Sequence, residues 1–113
     1  MGLEDLELLG NQRKALSELK QNLYSSYPVI ETIIFGSVAR GEAEVGSDLD
    51  VLVLTKKRLS HRKKHEIYSI VTDINLQYDT NLSVLIIDKT GWESGRYSIL
   101  PIKGEIADDG VEF

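Results

Sequence analysis

The chain has 113 residues and no cysteine, so disulfides and thiolate metal sites are excluded. Its 42% hydrophobic content suits a buried core, and we find no apolar run long enough to cross a bilayer and no secretory pattern at the N-terminus. The net charge of -5 argues against a general nucleic-acid binder. We therefore expect one cytoplasmic domain over residues 1–113, with no membrane contact and no direct nucleic-acid contact.

The N-terminal half is predicted to begin with a helix over residues 3–24, broken in two at Gly10-Asn11 and stopped by Tyr27-Pro28. A strand rich in Val and Ile is expected at 29–35, and a second apolar strand at 49–55. Because the second strand is apolar on both faces, it is expected to be central in the sheet.

In the C-terminal half, Ser60 is placed to cap a helix that runs to about Gln77, and a third strand is expected near 82–87. A loop is predicted at 89–98 around the single Trp, followed by a last helix from about residue 100 to 108, closed by Gly110. Helices that alternate with three or four strands indicate an α/β (α+β) domain with a small mixed sheet.

The clearest functional signal is the segment IFGSVARGEAEVGSDLDVLVL, which runs from Ile34 to Leu54. Gly36 lets the backbone turn sharply close to a ligand. Ser37 can cap a short helix, whose free first amides and positive dipole end favour a triphosphate. Arg40 adds a planar guanidinium suited to phosphate oxygens, and Gly41 ends the helix.

Asp48 and Asp50 supply the second part of this signal. They are two residues apart, so on a strand both carboxylates point to the same face. Such a pair can hold one Mg²⁺ or bridge two. The plainer interpretation, turn and cap residues before a strand, leaves two like charges adjacent on one face without a cation between them.

This pattern of Gly-Ser-x-x-Arg-Gly, a short spacer and Ser-Asp-x-Asp resembles the signature of the DNA polymerase β-type nucleotidyltransferase superfamily. The chain length resembles its smallest members, the minimal nucleotidyltransferase (MNT) domain proteins. The resemblance implies a nucleotidyltransferase fold, a mixed sheet covered by helices on one side, and an Mg²⁺-dependent reaction with ATP or another nucleoside triphosphate. The implied nucleotide-binding residues are Gly36, Ser37, Arg40 and Ser47, and the implied catalytic and metal-binding residues are Asp48 and Asp50.

One position departs from the family pattern. Larger relatives carry a third carboxylate on a neighbouring strand, where it is usually the base that activates the attacking hydroxyl. The matching position here falls near Ser83, which is not acidic. Asp79 and Asp88 flank the third strand, and either is an alternative source of the third carboxylate, although neither is in the expected register. The chain is therefore expected either to transfer slowly or to have its site completed by a partner or by the acceptor.

The resemblance also implies a partner. Many stand-alone MNT proteins are antitoxins, encoded beside a small helical HEPN protein that is typically an RNase toxin; some of them adenylylate a tyrosine of that toxin. We expect a transferase of this type. The alternatives are an inactive nucleotide-binding module that acts by protein contact and an aminoglycoside-type small-molecule nucleotidyltransferase, and self-association into a homo-oligomer is a further option.

Three other features have both a functional and a plain interpretation. Six of the 13 basic residues lie within nine positions, from Lys56 to Lys64, and form either a docking patch for an acidic partner or RNA, or a solvated helix start. His61 and His65 share a helical spacing but have no visible third ligand, so ordinary surface histidines are expected. Trp92 either seals the back of the sheet or anchors an interface.

Overall fold

The structure is a computed structural model that describes residue 3 and residues 6–42 and 48–113. Within these residues it contains four α-helices and four strands. In chain order they are α1 (Gly10–Ser26), β1 (Val29–Phe35), β2 (Leu49–Thr55), α2 (His61–Tyr78), β3 (Leu82–Asp88), α3 (Lys89–Glu93), α4 (Pro101–Asp109) and β4 (Val111–Glu112). A 3-10 turn, Arg96–Ile99, joins α3 to α4. Among the helices described, none is long and apolar enough to span a membrane.

The four strands form one mixed sheet in the order β3-β2-β1-β4. Strand β1 is antiparallel to β2 and β4, and β2 is parallel to β3. The predicted small mixed sheet covered by helices is therefore confirmed, with β2 in a central position. Because of these directions, the end of β1 and the starts of β2 and β3 meet at one edge, which we call the site edge.

One face of the sheet is covered by α1 and α2, as their helical spacing of apolar residues predicts. Ser60 caps α2 by accepting a hydrogen bond from the Lys63 amide at 3.2 Å. The buried helix residues are Ala15, Leu16, Leu19 and Leu23 of α1 and Ile67, Val71 and Ile74 of α2. They pack with Ile34, Val51 and Val53 of the central strands. This layer is the main core.

The other face is covered as well, so the expectation of helices on one side only was wrong. Ile33, Leu52, Leu54 and Ile87 project from this face and pack with Ile106 of α4. Trp92 joins this second cluster, which agrees with its interpretation as a seal on the back of the sheet, and the Lys103 ammonium lies 5.6 Å from the centre of its ring. Helix α4 buries only Ile106 fully, so its sequence gives too weak a pattern to reveal a covering layer.

Two predicted elements had the wrong limits or type. The first helix begins at Gly10, not at residue 3, because Leu9 is extended and its amide is capped by Gln12. Leu6 is buried in the core without being helical, which explains the misleading leucine spacing. The predicted loop at 89–98 contains α3 and the 3-10 turn, because the Asp88 carboxylate accepts a hydrogen bond from the Gly91 amide and starts a helical turn.

Candidate functional site

The site edge brings the turn after β1 directly against the start of β2. Phe35 pairs with Asp50 across the two strands, so Gly36 begins its turn beside the Asp50 side chain. Gly36 has φ +79°, which is the left-handed region that favours glycine. A Cβ at Gly36 would overlap the carboxylate of Asp50 and would lie 3.3 Å from its Cγ. Glycine is therefore required here for two reasons, backbone conformation and close approach.

The segment from Gly36 to Glu42 is a run of turns and not the short regular helix that was predicted. The Arg40 amide donates to the Gly36 carbonyl at 3.2 Å and closes a single helical turn. The Gly41 amide then donates to the Val38 carbonyl at 3.1 Å and the Glu42 amide to the Ser37 carbonyl at 2.9 Å, the paired bonds of a glycine C-cap. Gly41 ends it with φ +73°. Buried Val38 and Ala39 anchor the turn in the main core.

These turns leave a group of backbone donors without partners. Among the described residues, the amides of Ser37, Val38 and Ala39 have no hydrogen-bond acceptor. Successive unpaired amides at the start of a turn form a concave donor set that favours anions. Phosphate binding by this turn stays a prediction, and the unpaired amides of a single turn, not the N-terminus of a regular helix, would supply it.

The two aspartates differ in their surroundings. Asp50 is half-buried at the start of β2, whereas Asp48 is exposed just before the strand. Burial raises the pKa of Asp50, the negative charge of Asp48 raises it further, and the positive charge of Arg40 lowers it. The three side chains are therefore close enough to act on one another. A divalent cation between the two carboxylates would offset the cost of burying the charge of Asp50 and the repulsion between Asp50 and Asp48.

Arg40 lies beside the aspartates but is already paired. Its Nε donates to Oε2 of Glu42 at 3.2 Å, and both side chains are partly exposed. Sequence reasoning missed Glu42, although an opposite charge two residues from Arg40 across Gly41 was a visible signal. The remaining predicted nucleotide residue, Ser47, lies outside the described residues.

Ser83 occupies the position predicted for a third carboxylate. It lies in register with Asp50 on the parallel strand β3, so the two side chains point to the same face. Asp88 lies at the opposite end of β3, in register with Thr55, and caps α3. Asp79 ends α2, and its carbonyl accepts from Asn11 at the start of α1. Neither residue stands in the position facing Asp50.

The carboxylates of Asp48 and Asp50 suit an Mg²⁺ ion that is bound together with a triphosphate. Within the described residues no group of three His, Cys, Asp or Glu side chains could hold a metal ion. His61 and His65 are both exposed on α2. Mg²⁺ is commonly held by one or two carboxylates, with substrate phosphates and water completing the octahedron, so Asp48 and Asp50 are a sufficient protein contribution.

Comparison with known proteins gives a consistent result over most of the chain. A family model described as a nucleotidyltransferase domain matches residues 12–104. The chain is also 32% identical over 88 residues to a candidate protein adenylyltransferase, MJ0141, from Methanocaldococcus jannaschii. That match covers 78% of this chain and 84% of the relative.

Two solved structures show the same fold at low sequence identity. A toxin-antitoxin crystal structure with AMP-PNP superposes with a TM-score of 0.61 at 15% identity, covering 92% of this chain and 72% of that one. A tri-AMPylated HEPN toxin in complex with an MNT antitoxin, from Shewanella oneidensis, gives a TM-score of 0.53 at 16% identity. That match covers 90% of this chain and 67% of the other.

Proposed function

The chain belongs to the family of nucleotidyltransferase domains and is a nucleotidyltransferase, and we propose that it transfers AMP from ATP to a hydroxyl of a protein partner, with Mg²⁺. The observation that carries this proposal is the contact between the Gly36 turn and the Asp50 carboxylate. It places a set of unpaired amides next to a pair of carboxylates. An anionic triphosphate and the cation that neutralises it would then bind side by side.

The turn would hold the triphosphate. The amides of Ser37, Val38 and Ala39 donate to phosphate oxygens, and the Ser37 hydroxyl adds a further donor. Arg40 contributes its guanidinium once it exchanges Glu42 for phosphate. Ser47 is included in this proposal from its place in the motif.

Asp48 and Asp50 would hold Mg²⁺, which when bound offsets charge on the phosphates and on the attacking and leaving oxygens. In the transfer, the acceptor oxygen forms a bond to the α-phosphorus, the bond from that phosphorus to the bridging oxygen breaks, and pyrophosphate leaves. The hydroxyl proton has to be accepted by another group. Ser83 is a poor base, so the proton passes to solvent or to a group that the acceptor brings, and a general-base factor of about 10² to 10⁴ is lost.

A protein acceptor and ATP are supported by what is known of similar proteins. The M. jannaschii relative is named as a candidate protein adenylyltransferase, and the toxin-antitoxin structure contains the ATP analogue AMP-PNP. The Shewanella oneidensis structure contains an AMPylated HEPN toxin with its MNT antitoxin. We therefore assign to this chain the role of an MNT antitoxin whose acceptor is a small helical HEPN-type toxin.

The test is label transfer to the HEPN-type protein of the same source organism. With ATP labelled at the α-phosphate, wild type is expected to label the partner, whereas ATP labelled at the γ-phosphate leaves it unlabelled. Asp48→Asn and Asp50→Asn should each abolish labelling. Asp79→Asn is the matched control and should retain wild-type labelling, because Asp79 is exposed at the end of α2, where its backbone carbonyl contacts Asn11, and is not in register with Asp50. No α-label on the partner with wild type would refute the proposal.

A second candidate function is neutralisation of the partner by contact alone, favoured by the serine at position 83 beside Asp50. It predicts that Asp48→Asn/Asp50→Asn still binds and inhibits the HEPN-type protein as well as wild type does. Loss of inhibition in step with loss of labelling would exclude it. The two candidates thus give opposite results with one double variant.

A further inference from the structure

A strongly basic surface lies at the end of the sheet opposite the site edge. We call it the basic surface, and it consists of Lys56, Lys57, Arg58, Arg62, Lys63 and Lys64, in the β2–α2 loop and the first turn of α2. Five of these side chains are exposed and Lys64 is half-buried. Among the described residues only Arg62 of the six makes an ion pair, with Glu66 at 4.0 Å. The surface therefore presents five uncompensated positive charges.

The fold does not need this charge. The first turn of α2 contains no acidic residue, and its basic side chains oppose the helix dipole at the end where acidic ones stabilise. Ser60 already supplies the cap. These charges therefore slightly destabilise the isolated chain. A negatively charged partner bound at the same place would be attracted to them and would stabilise the complex.

The surface is also concave. Arg58 and Lys64 together line two adjoining hollows of about 380 and 340 Å³. The first lies against the end of β3, where Asp88 already accepts a hydrogen bond from Gly91, and the second lies over Ser60 and His61. Two cations that line the same hollow suit carboxylate side chains that project from another protein.

An acidic protein fits this surface better than RNA does. The whole chain carries -5 and the basic surface carries +6, so the rest of the chain carries -11. A polynucleotide that extended beyond these nine positions would meet repulsive acidic surface, whereas a compact acidic patch would not. Positions 56–64 contain no Phe, Tyr or Trp, and with Tyr97 in the first hollow and His61 in the second, base stacking would be limited to one ring in each hollow.

The distance between the basic surface and the nucleotide site sets a minimum length for any ligand that contacts both. Asp50 and Thr55 stand at opposite ends of β2, five residues apart, which corresponds to about 17 Å along a strand. A ligand that engages both the basic surface and the nucleotide site has to span that length.

We propose that the basic surface docks an acidic patch of the protein acceptor. The identity of that partner rests on the proposed function.

The test compares two double charge reversals with the same change in net charge. Arg58→Glu/Lys64→Glu alters the basic surface, and Lys14→Glu/Lys20→Glu alters exposed lysines of α1. The probes are fluorescent poly-L-glutamate and fluorescent polyuridylate RNA of equal length, measured by anisotropy at low and at physiological salt. Thermal melting checks that each variant folds, and Arg58→Gln/Lys64→Gln is a milder version of the first variant.

The expected result is that wild type binds poly-L-glutamate more tightly than RNA, and that Arg58→Glu/Lys64→Glu weakens peptide binding about tenfold, with little change for the α1 variant. Equal weakening in both variants would show that only net charge matters, and tighter binding of RNA would make this a nucleic-acid surface; either result overturns the proposal. Calorimetry with ATP and Mg²⁺ is expected to give wild-type affinity for both variants. Absence of ATP binding in wild type would count against the proposed function while leaving the peptide result standing.

Discussion

The backbone of Gly36 packs directly against the carboxylate of Asp50, and there is no room for a Cβ between them. The contact joins the anion-binding turn and the carboxylate pair into one unit. Substitutions at either residue should therefore affect both triphosphate and metal binding.

Gly36→Ala is expected to abolish ATP binding and to lower the free energy of unfolding by about 1–2 kcal/mol from backbone strain alone, with an added cost from the overlap with Asp50. Gly41→Ala is the matched control, because Gly41 has a similar φ of +73° but a Cβ there would meet nothing within 4 Å. Calorimetry and thermal melting of both variants separate strain from overlap. Equal losses of ATP binding in the two variants would contradict this account.

Ser83→Asp is expected to increase the rate of AMP transfer. The new carboxylate would lie in register with Asp50, where it can accept the proton of the attacking hydroxyl. A positioned general base typically raises the rate by a factor of about 10² to 10⁴. Ser83→Asn has a similar size without the charge and should give no gain. The readout is single-turnover transfer from α-labelled ATP. A gain of the same size with Asn would show that the effect is not general-base catalysis.

The sequence predicted the strands that carry the candidate site better than the layers around them. Strands β1 and β2 matched their predicted limits because apolar runs between turn residues are strong local signals. The register of Ser83 with Asp50 also followed from the order of strands. By contrast, β4 is two residues long, and its pairing depends on contacts such as the 2.8 Å hydrogen bond from the Thr32 hydroxyl to the Phe113 carbonyl. Contacts between residues so far apart in the chain leave no periodic pattern in the sequence from which β4 could be predicted.

Glu42→Gln is expected to strengthen ATP binding by roughly twofold to fivefold, because an exposed ion pair is worth at most about 1 kcal/mol and Arg40 no longer has to leave it. Glu66→Gln removes a second exposed pair of the described residues, that with Arg62 in the first half of α2, and should leave ATP affinity unchanged. Calorimetric titration of both variants tests this. Weaker ATP binding by Glu42→Gln would mean that Glu42 orients Arg40 for phosphate and does not compete with it.

Glu31 and Glu112 should make the stability of the fold depend on pH near neutrality. A hydrogen bond shared with Glu112, burial and the charge of Glu112 raise the pKa of Glu31 to about 7. Lys103 of α4 lines the same hollow and is the positive group facing the pair. Because the folded chain holds this proton more tightly than the unfolded chain does, the stability from this pair is fully present below about pH 4.5 and is lost as the pH rises through about 7.

Melting temperatures measured at about pH 5 and about pH 8 test this linkage. Glu31→Gln keeps an uncharged partner for Glu112, so it is expected to flatten the pH dependence and to melt at a higher temperature than wild type at the alkaline pH. Glu105→Gln, on the exposed side of α4, should reproduce the wild-type pH profile. If Glu31→Gln melted with the same pH profile as wild type, the shared proton would not contribute to stability. The attachment of β4 to β1 would then depend on backbone pairing, on the burial of Val111 and on the hydrogen bond from the Thr32 hydroxyl to the Phe113 carbonyl.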